Sequence, residues 1–103
     1  MQRRKYFYSY ITAISELEIS RRTLQRWIDY TNIVPLEFED HSKVFLTLPH
    51  MEKLREYKRV LETGDRDLLE KYKQAFDNND DTRIISLRKL LIQLEKKGKA
   101  MRG

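Results

Sequence analysis

Four long polar side chains lie close together early in the chain: Arg21, Arg22, Gln25 and Arg26. At about 3.6 residues per turn they share one side of a helix, and Leu24, Trp27 and Ile28 share the other. Such a helix suits nucleic-acid readout. Arg grips guanine O6 and N7 with two hydrogen bonds, Gln grips adenine in the same way, and each cation can neutralise a phosphate. Read alone, the same residues also describe the solvated face of a basic helix. Their surroundings decide between the two.

Other chemistries find little to work with. The chain has no cysteine, which removes a disulfide framework, a thiol nucleophile and thiolate metal ligands, and fits a reducing cytoplasm. His41 and His50 are the only histidines, and neither has a neighbouring cluster of metal-binding side chains in the sequence. Glu16 and Glu18 read as solvated helix-end charges rather than an acid/base pair. No glycine-rich phosphate loop, nucleophile elbow or zincin pattern occurs. Neither catalysis nor a cofactor is expected.

Charge points toward a polyanion without naming one. The 21 Lys and Arg outweigh 16 Asp and Glu, for a net +5 and a pI near 9.5. Residues 1–34 carry 6 basic and 3 acidic groups, residues 35–64 carry 5 and 6, and residues 65–103 carry 10 and 7, so the excess flanks a neutral middle. Arg3, Arg4 and Lys5 precede an aromatic stretch from Tyr6 to Ile14, but Ser9 and Thr12 break it and it runs into a patterned segment. It reads as part of the fold rather than a targeting peptide. The basic residues there are either an arm for the minor groove or, as we prefer, a basic tag on aromatics that pack on the domain. No apolar run reaches the roughly 18 residues of a membrane span. A cytoplasmic location is expected, at the nucleoid if the source is bacterial.

At 103 residues, one compact domain is the starting expectation. Tyr10, Ala13, Ile14 and Leu17 predict a first helix, interrupted at Glu18-Ile19-Ser20. Ser20 can cap a second helix from Arg21 to about Tyr30, stopped by Pro35. From Leu36 to Leu46 the pattern alternates, with Leu36 and Phe38, a polar tip Glu39-Asp40-His41-Ser42, then Val44 and Leu46, which predicts a hairpin. Thr47 can cap a third helix with Pro49 in its first turn and a stripe of Met51, Leu54, Lys58 and Leu61, with Val60 alongside; Gly64 ends it. Asp65 to Phe76 reads as a fourth helix using Leu68, Leu69, Tyr72 and Phe76. Residues 77–81 form a turn. The last helix is expected from about Thr82 to Lys97, on Ile84, Leu87, Leu91 and Leu94, with a frayed basic tail from Gly98.

This order of elements resembles the winged-helix DNA-binding head of MerR-type transcription regulators over roughly residues 9–76. Ile19-Ser20-Arg21-Arg22-Thr23-Leu24 is similar to that family's valine-serine-x-arginine-threonine-leucine signature. Trp27 falls where the family places the second of two aromatics, and Ile33-Val34-Pro35 resembles its exit from the recognition helix. Thr47 to Arg55 looks like the stretch that opens the helix after the wing, and Gly64 matches its closing glycine. Three departures carry consequences. Glu18 stands at a turn glycine, where a left-handed backbone costs about 1 kcal/mol. Arg26 replaces the first aromatic. Glu37, Glu39 and Asp40 occupy a wing usually rich in arginine, which leaves His41, Ser42 and Lys43 as its phosphate contacts.

The resemblance implies a mostly α fold: a winged helix-turn-helix head at 1–76 with a small β-hairpin wing, then a loop and an additional C-terminal helix at 77–103. It implies double-stranded DNA as partner, contacted through Ser20, Arg21, Arg22, Thr23, Gln25, Arg26, His41, Ser42 and Lys43. No effector domain or small-molecule effector is expected. The implied function is that of a small transcription regulator; an excisionase-like factor that bends DNA shares the same fold, and a protein-interaction module is the competing class. The last helix carries Ile84, Leu87, Leu91 and Leu94, with Ile85, Leu90 and Ile92 beside them, more apolar surface than a solvated end helix tolerates. It either folds back on Leu68, Tyr72 and Phe76 or pairs with a second copy. Because the apolar set is wide enough for both contacts, a homodimer is expected.

Overall fold

The computed structural model describes residues 7–37 and 44–101, with side chains through residue 97. The chain is mostly helical with one small antiparallel sheet: β1 (Phe7–Ser9), α1 (Tyr10–Leu17), α2 (Arg21–Tyr30), β2 (Leu36–Glu37), β3 (Val44–Thr47), α3 (Leu48–Thr63), α4 (Arg66–Asp77) and α5 (Asp81–Met101). It divides into two compact units between Arg55 and Glu56. α4 and α5 both fall in the second unit.

In the first unit the strands run in the order β1-β3-β2, with Tyr8 opposite Leu46 and Leu36 opposite Phe45. Tyr8 and Leu46 are buried on one face of the sheet, and α1 packs against β1, β3 and α2. The aromatic segment expected to pack on the domain enters the sheet as β1, with Tyr8 buried and Phe7 exposed, while Tyr6 lies outside the described residues. Alternation over only three residues is too short to read from sequence, and its strand character comes from pairing with β3. Ala13, Leu17, Leu24, Trp27, Ile28 and Ile33 make up most of the remaining core of this unit. Arg55 reaches from α3 to Glu16 on α1 at 3.1 Å. Both groups are substantially exposed, so the pair contributes little to stability.

In the second unit the rest of α3 meets α4 and α5. The Phe76 ring tilts against Tyr72 at 5.6 Å and Tyr57 at 6.4 Å between centroids. Leu68, Ala75, Leu87 and Leu91 are buried there with Val60. The α3 stripe needs correction: Tyr57 and Val60 follow Met51 and Leu54 into the interior, whereas Leu61 is exposed and Lys58 half-buried. The first two positions serve one unit and the last two serve the other, so a single 3.6-residue stripe was never the constraint. Glu56 is buried and accepts from Arg88 Nε at 2.7 Å, and the Arg59 guanidinium makes a two-pronged contact with Glu95. The Tyr72 hydroxyl and Glu56 Oε2 are both buried without a hydrogen bond of good geometry. Burial and that nearby carboxylate hold the phenol far above its ordinary range.

The turns follow their residue types. Asn79 takes a left-handed conformation (φ 50°) between α4 and α5, and Asp80 Oδ1 accepts from the Arg83 amide at 3.1 Å. Gly64 ends α3 at φ 72°. The backbone of α5 continues through Gly98 to Met101, past its expected end at Lys97.

The start of α3 carries a reciprocal cap. The His50 amide donates to Thr47 Oγ1 at 3.3 Å, and the Thr47 amide donates to His50 Nδ1 at 3.1 Å. Histidine takes the place that glutamate or glutamine fills in the usual capping box. An accepting Nδ1 must be unprotonated, and burial, helped by Lys53, lowers the His50 pKa. A depressed value means that the folded state binds its proton less readily than the unfolded one. The stabilisation is full above the ordinary imidazole pKa of about 6.5 and is lost as pH falls through the depressed value. Thermal melts of the wild type and His50→Gln between neutral and mildly acidic pH should show a shallower decline for the variant, since glutamine can still reach back. Parallel declines would remove His50 as the cause.

Candidate nucleic-acid interface

The exposed side of α2 is built by the caps at its two ends and by burial between them. Ahead of it, Ser9 Oγ accepts from the Thr12 amide at 3.2 Å and starts α1. Glu18 then adopts φ 56° and ψ 48°, and the Ile19 amide donates back to the Ile14 carbonyl at 3.2 Å. The left-handed turn expected of a glycine is thus made by a glutamate, at a cost of about 1 kcal/mol. Ser20 Oγ accepts from the Thr23 amide at 3.1 Å and donates to Thr23 Oγ1 at 2.9 Å. Asn32 closes the helix at φ 58°, with the Ile33 amide on the Ile28 carbonyl at 3.1 Å. Proline was expected to stop α2, but the asparagine three residues earlier does so; a left-handed asparagine cap was the available signal.

Between these caps Leu24, Trp27 and Ile28 are buried, and Arg21, Arg22, Gln25 and Arg26 are exposed. Trp27 is 9% exposed, so its ring belongs to the core. Among the described residues, Arg21, Arg22 and Arg26 have no ion-pair partner, whereas Arg55, Arg59 and Arg88 are each held by a carboxylate. The three free guanidinium groups, with the Gln25 amide, leave a face of donors to meet phosphates or base edges. Ser20 and Thr23, expected to touch DNA, are occupied with each other in the cap. Thr23 Oγ1 accepts there and keeps its own hydroxyl proton for an outside acceptor.

No protein-family model matches the chain, and no curated protein matches it.

Two residues near this face were missed from the sequence. Tyr10, assigned to the apolar stripe of α1, is half-buried, and its hydroxyl lies in the field of Arg21, Asp29 and Glu37. Burial raises its pKa, Arg21 opposing, so it remains a neutral donor. Asp29 is exposed on the same side of α2, about one turn beyond Gln25 and Arg26. It repels phosphate at that end and can accept from a cytosine amino group. The contacts expected of His41, Ser42 and Lys43, and the acidic Glu39 and Asp40, lie outside the described residues, as do Arg3, Arg4 and Lys5. Among the described residues no group of three or more His, Cys, Asp or Glu side chains could hold a metal ion.

Replacing Glu18 by glycine should relieve the left-handed strain and raise stability by up to about 1 kcal/mol, seen as a higher urea midpoint at unchanged slope. An unchanged midpoint would mean that the glutamate side chain itself supports the turn. Trp27 emission should stay constant when DNA is added and shift to the red on unfolding; strong quenching by DNA alone would place the indole in the groove.

Proposed function

We propose that the first unit is a winged helix-turn-helix head that binds double-stranded DNA, with α2 in the major groove and the β2–β3 hairpin as its wing. The observation that carries this reading is the face of α2: three guanidinium groups without an ion-pair partner among the described residues and one amide, turned outward by burial of Leu24, Trp27 and Ile28. A recognition helix needs this division, with its apolar side held by the body and long donors in its first turns. The order of elements supports it, as does the resemblance of residues 19–24 to the MerR-type signature. In this reading Arg21, Arg22, Gln25 and Arg26 make most contacts, Thr23 positions the backbone, and His41, Ser42 and Lys43 serve the wing.

The second unit bears on how the head is used. Leu87 and Leu91 are buried within the chain and α5 packs along α4, so the stripe Ile84, Leu87, Leu91 and Leu94 serves the intrachain contact. That favours a DNA-binding monomer, in the manner of an excisionase-like architectural factor, over a regulator dimerised through this stripe. No helix among the described residues is long and apolar enough to cross a membrane.

A gel shift in excess competitor DNA, on sites selected from a random pool, tests the reading. Arg22→Ala should weaken specific binding by about 1 to 3 kcal/mol if it reads a base. Doubling the salt should weaken binding several-fold, as about three neutralised phosphates require. Affinity indifferent to salt would sink the electrostatic premise. Equilibrium ultracentrifugation should show a monomer, and the selected sites should lack two-fold symmetry.

A further inference from the structure

α5 turns its broad apolar side toward α4, with Leu90 (44% exposed) at the edge of that side, and on its outer side it still exposes Ile85 (54%) and Ile92 (40%). They are seven residues apart, about 10 Å along one side of the helix. Lys89 and Lys96 each follow an isoleucine by four residues and therefore lie on the same stripe. Neither lysine has an ion-pair partner among the described residues. The nearby charges of α5 are already committed, Arg88 to Glu56 and Glu95 to Arg59. What faces outward is an alternation of isoleucine and lysine, with Asp81 in the first turn as its only acid.

We propose that this stripe, Ile85, Lys89, Ile92 and Lys96, is a docking seam for an acidic amphipathic helix of a partner protein. Three other occupants fit it less well. An antiparallel copy that sets Ile85 opposite Ile92 meets Lys96 with Asp81 at the ends but brings Lys89 beside its twin at the centre, and a parallel copy brings each lysine beside its twin, so like charges meet within the seam in both registers. DNA or RNA neutralises the lysines but offers nothing apolar to cover the isoleucines. A bilayer surface needs a broad apolar face, and the broad face of α5 is the one spent on α4. A partner helix with an apolar ridge flanked by Glu or Asp meets both halves of the pattern, in the geometry of a short coiled-coil seam. The inference is independent of what the first unit binds.

A synthetic helical peptide with leucine along one stripe and glutamate on both flanks serves as the probe, titrated into full-length protein and followed by fluorescence anisotropy. Binding should weaken as salt rises. Ile85→Ser with Ile92→Ser should cost at least about tenfold in affinity. The pair Lys89→Glu and Lys96→Glu should abolish binding of the acidic peptide and create binding of the matched lysine-flanked peptide. Both double variants alter exposed positions, and unchanged helical circular dichroism and melting would show that each remains folded. Equal binding of acidic and basic peptides to the wild type would overturn the proposal. So would a wild-type dimer that the isoleucine variant dissociates, or cosedimentation with phosphatidylserine vesicles that the isoleucine variant loses.

Discussion

Leu24, Trp27 and Ile28 take one side of α2 out of water, and the rest of the first unit follows from that burial. Full burial of one such side chain contributes about 1.5 to 3 kcal/mol, more than a single cap or a surface ion pair supplies. A ten-residue helix is too short to hold together in water alone, so the apolar face both forms α2 and orients it. The arginines are then placed by default. They need no partner to hold them outward, and among the described residues none is present. The turn at residues 18–20 meets the same constraint: Glu18 accepts a left-handed backbone because that geometry lets α1 and α2 bury their apolar sides together.

Much of this was legible in the residues. The start of α2 at Arg21 followed from Ser20, and its inward face from the spacing of Leu24, Trp27 and Ile28; the structure agrees on each. Local rules read these well because a cap and a helical stripe are set within one or two turns. The misses have a common cause in partners distant along the chain. β1 exists because Phe7 to Ser9 pairs with residues 45–47, nearly forty positions away. Tyr57 was passed over for Lys58 because the inward side of α3 is decided by Phe76 and its neighbours rather than by periodicity. Of the candidate site, the donors on the α2 face could be read, although Asp29 at its far end was passed over. Tyr10 could not, since its place beside Arg21 depends on the packing of α1 against α2.

The second unit shows how a broad apolar helix divides its surface. Seven apolar residues on α5 were too many for one narrow contact, and the α4–α5 hairpin takes Leu87 and Leu91 completely while Ile84 and Leu94 are half-covered. Polar groups follow them inward. Glu56 enters the unit with Arg88 as its partner, and Tyr72 brings a hydroxyl close to the same carboxylate. Such a cluster is less forgiving than leucine packing, because removing Arg88 would leave a buried carboxylate without its counter-charge. It therefore fixes one register of α5 on its neighbours, where isoleucine and leucine alone would tolerate several.

α3 runs without a break through the division at Arg55 and Glu56. Its backbone ladder links each amide to the carbonyl four residues before and continues past that point to Thr63. Cutting the chain at the boundary would strand four carbonyls on one fragment and four amides on the other.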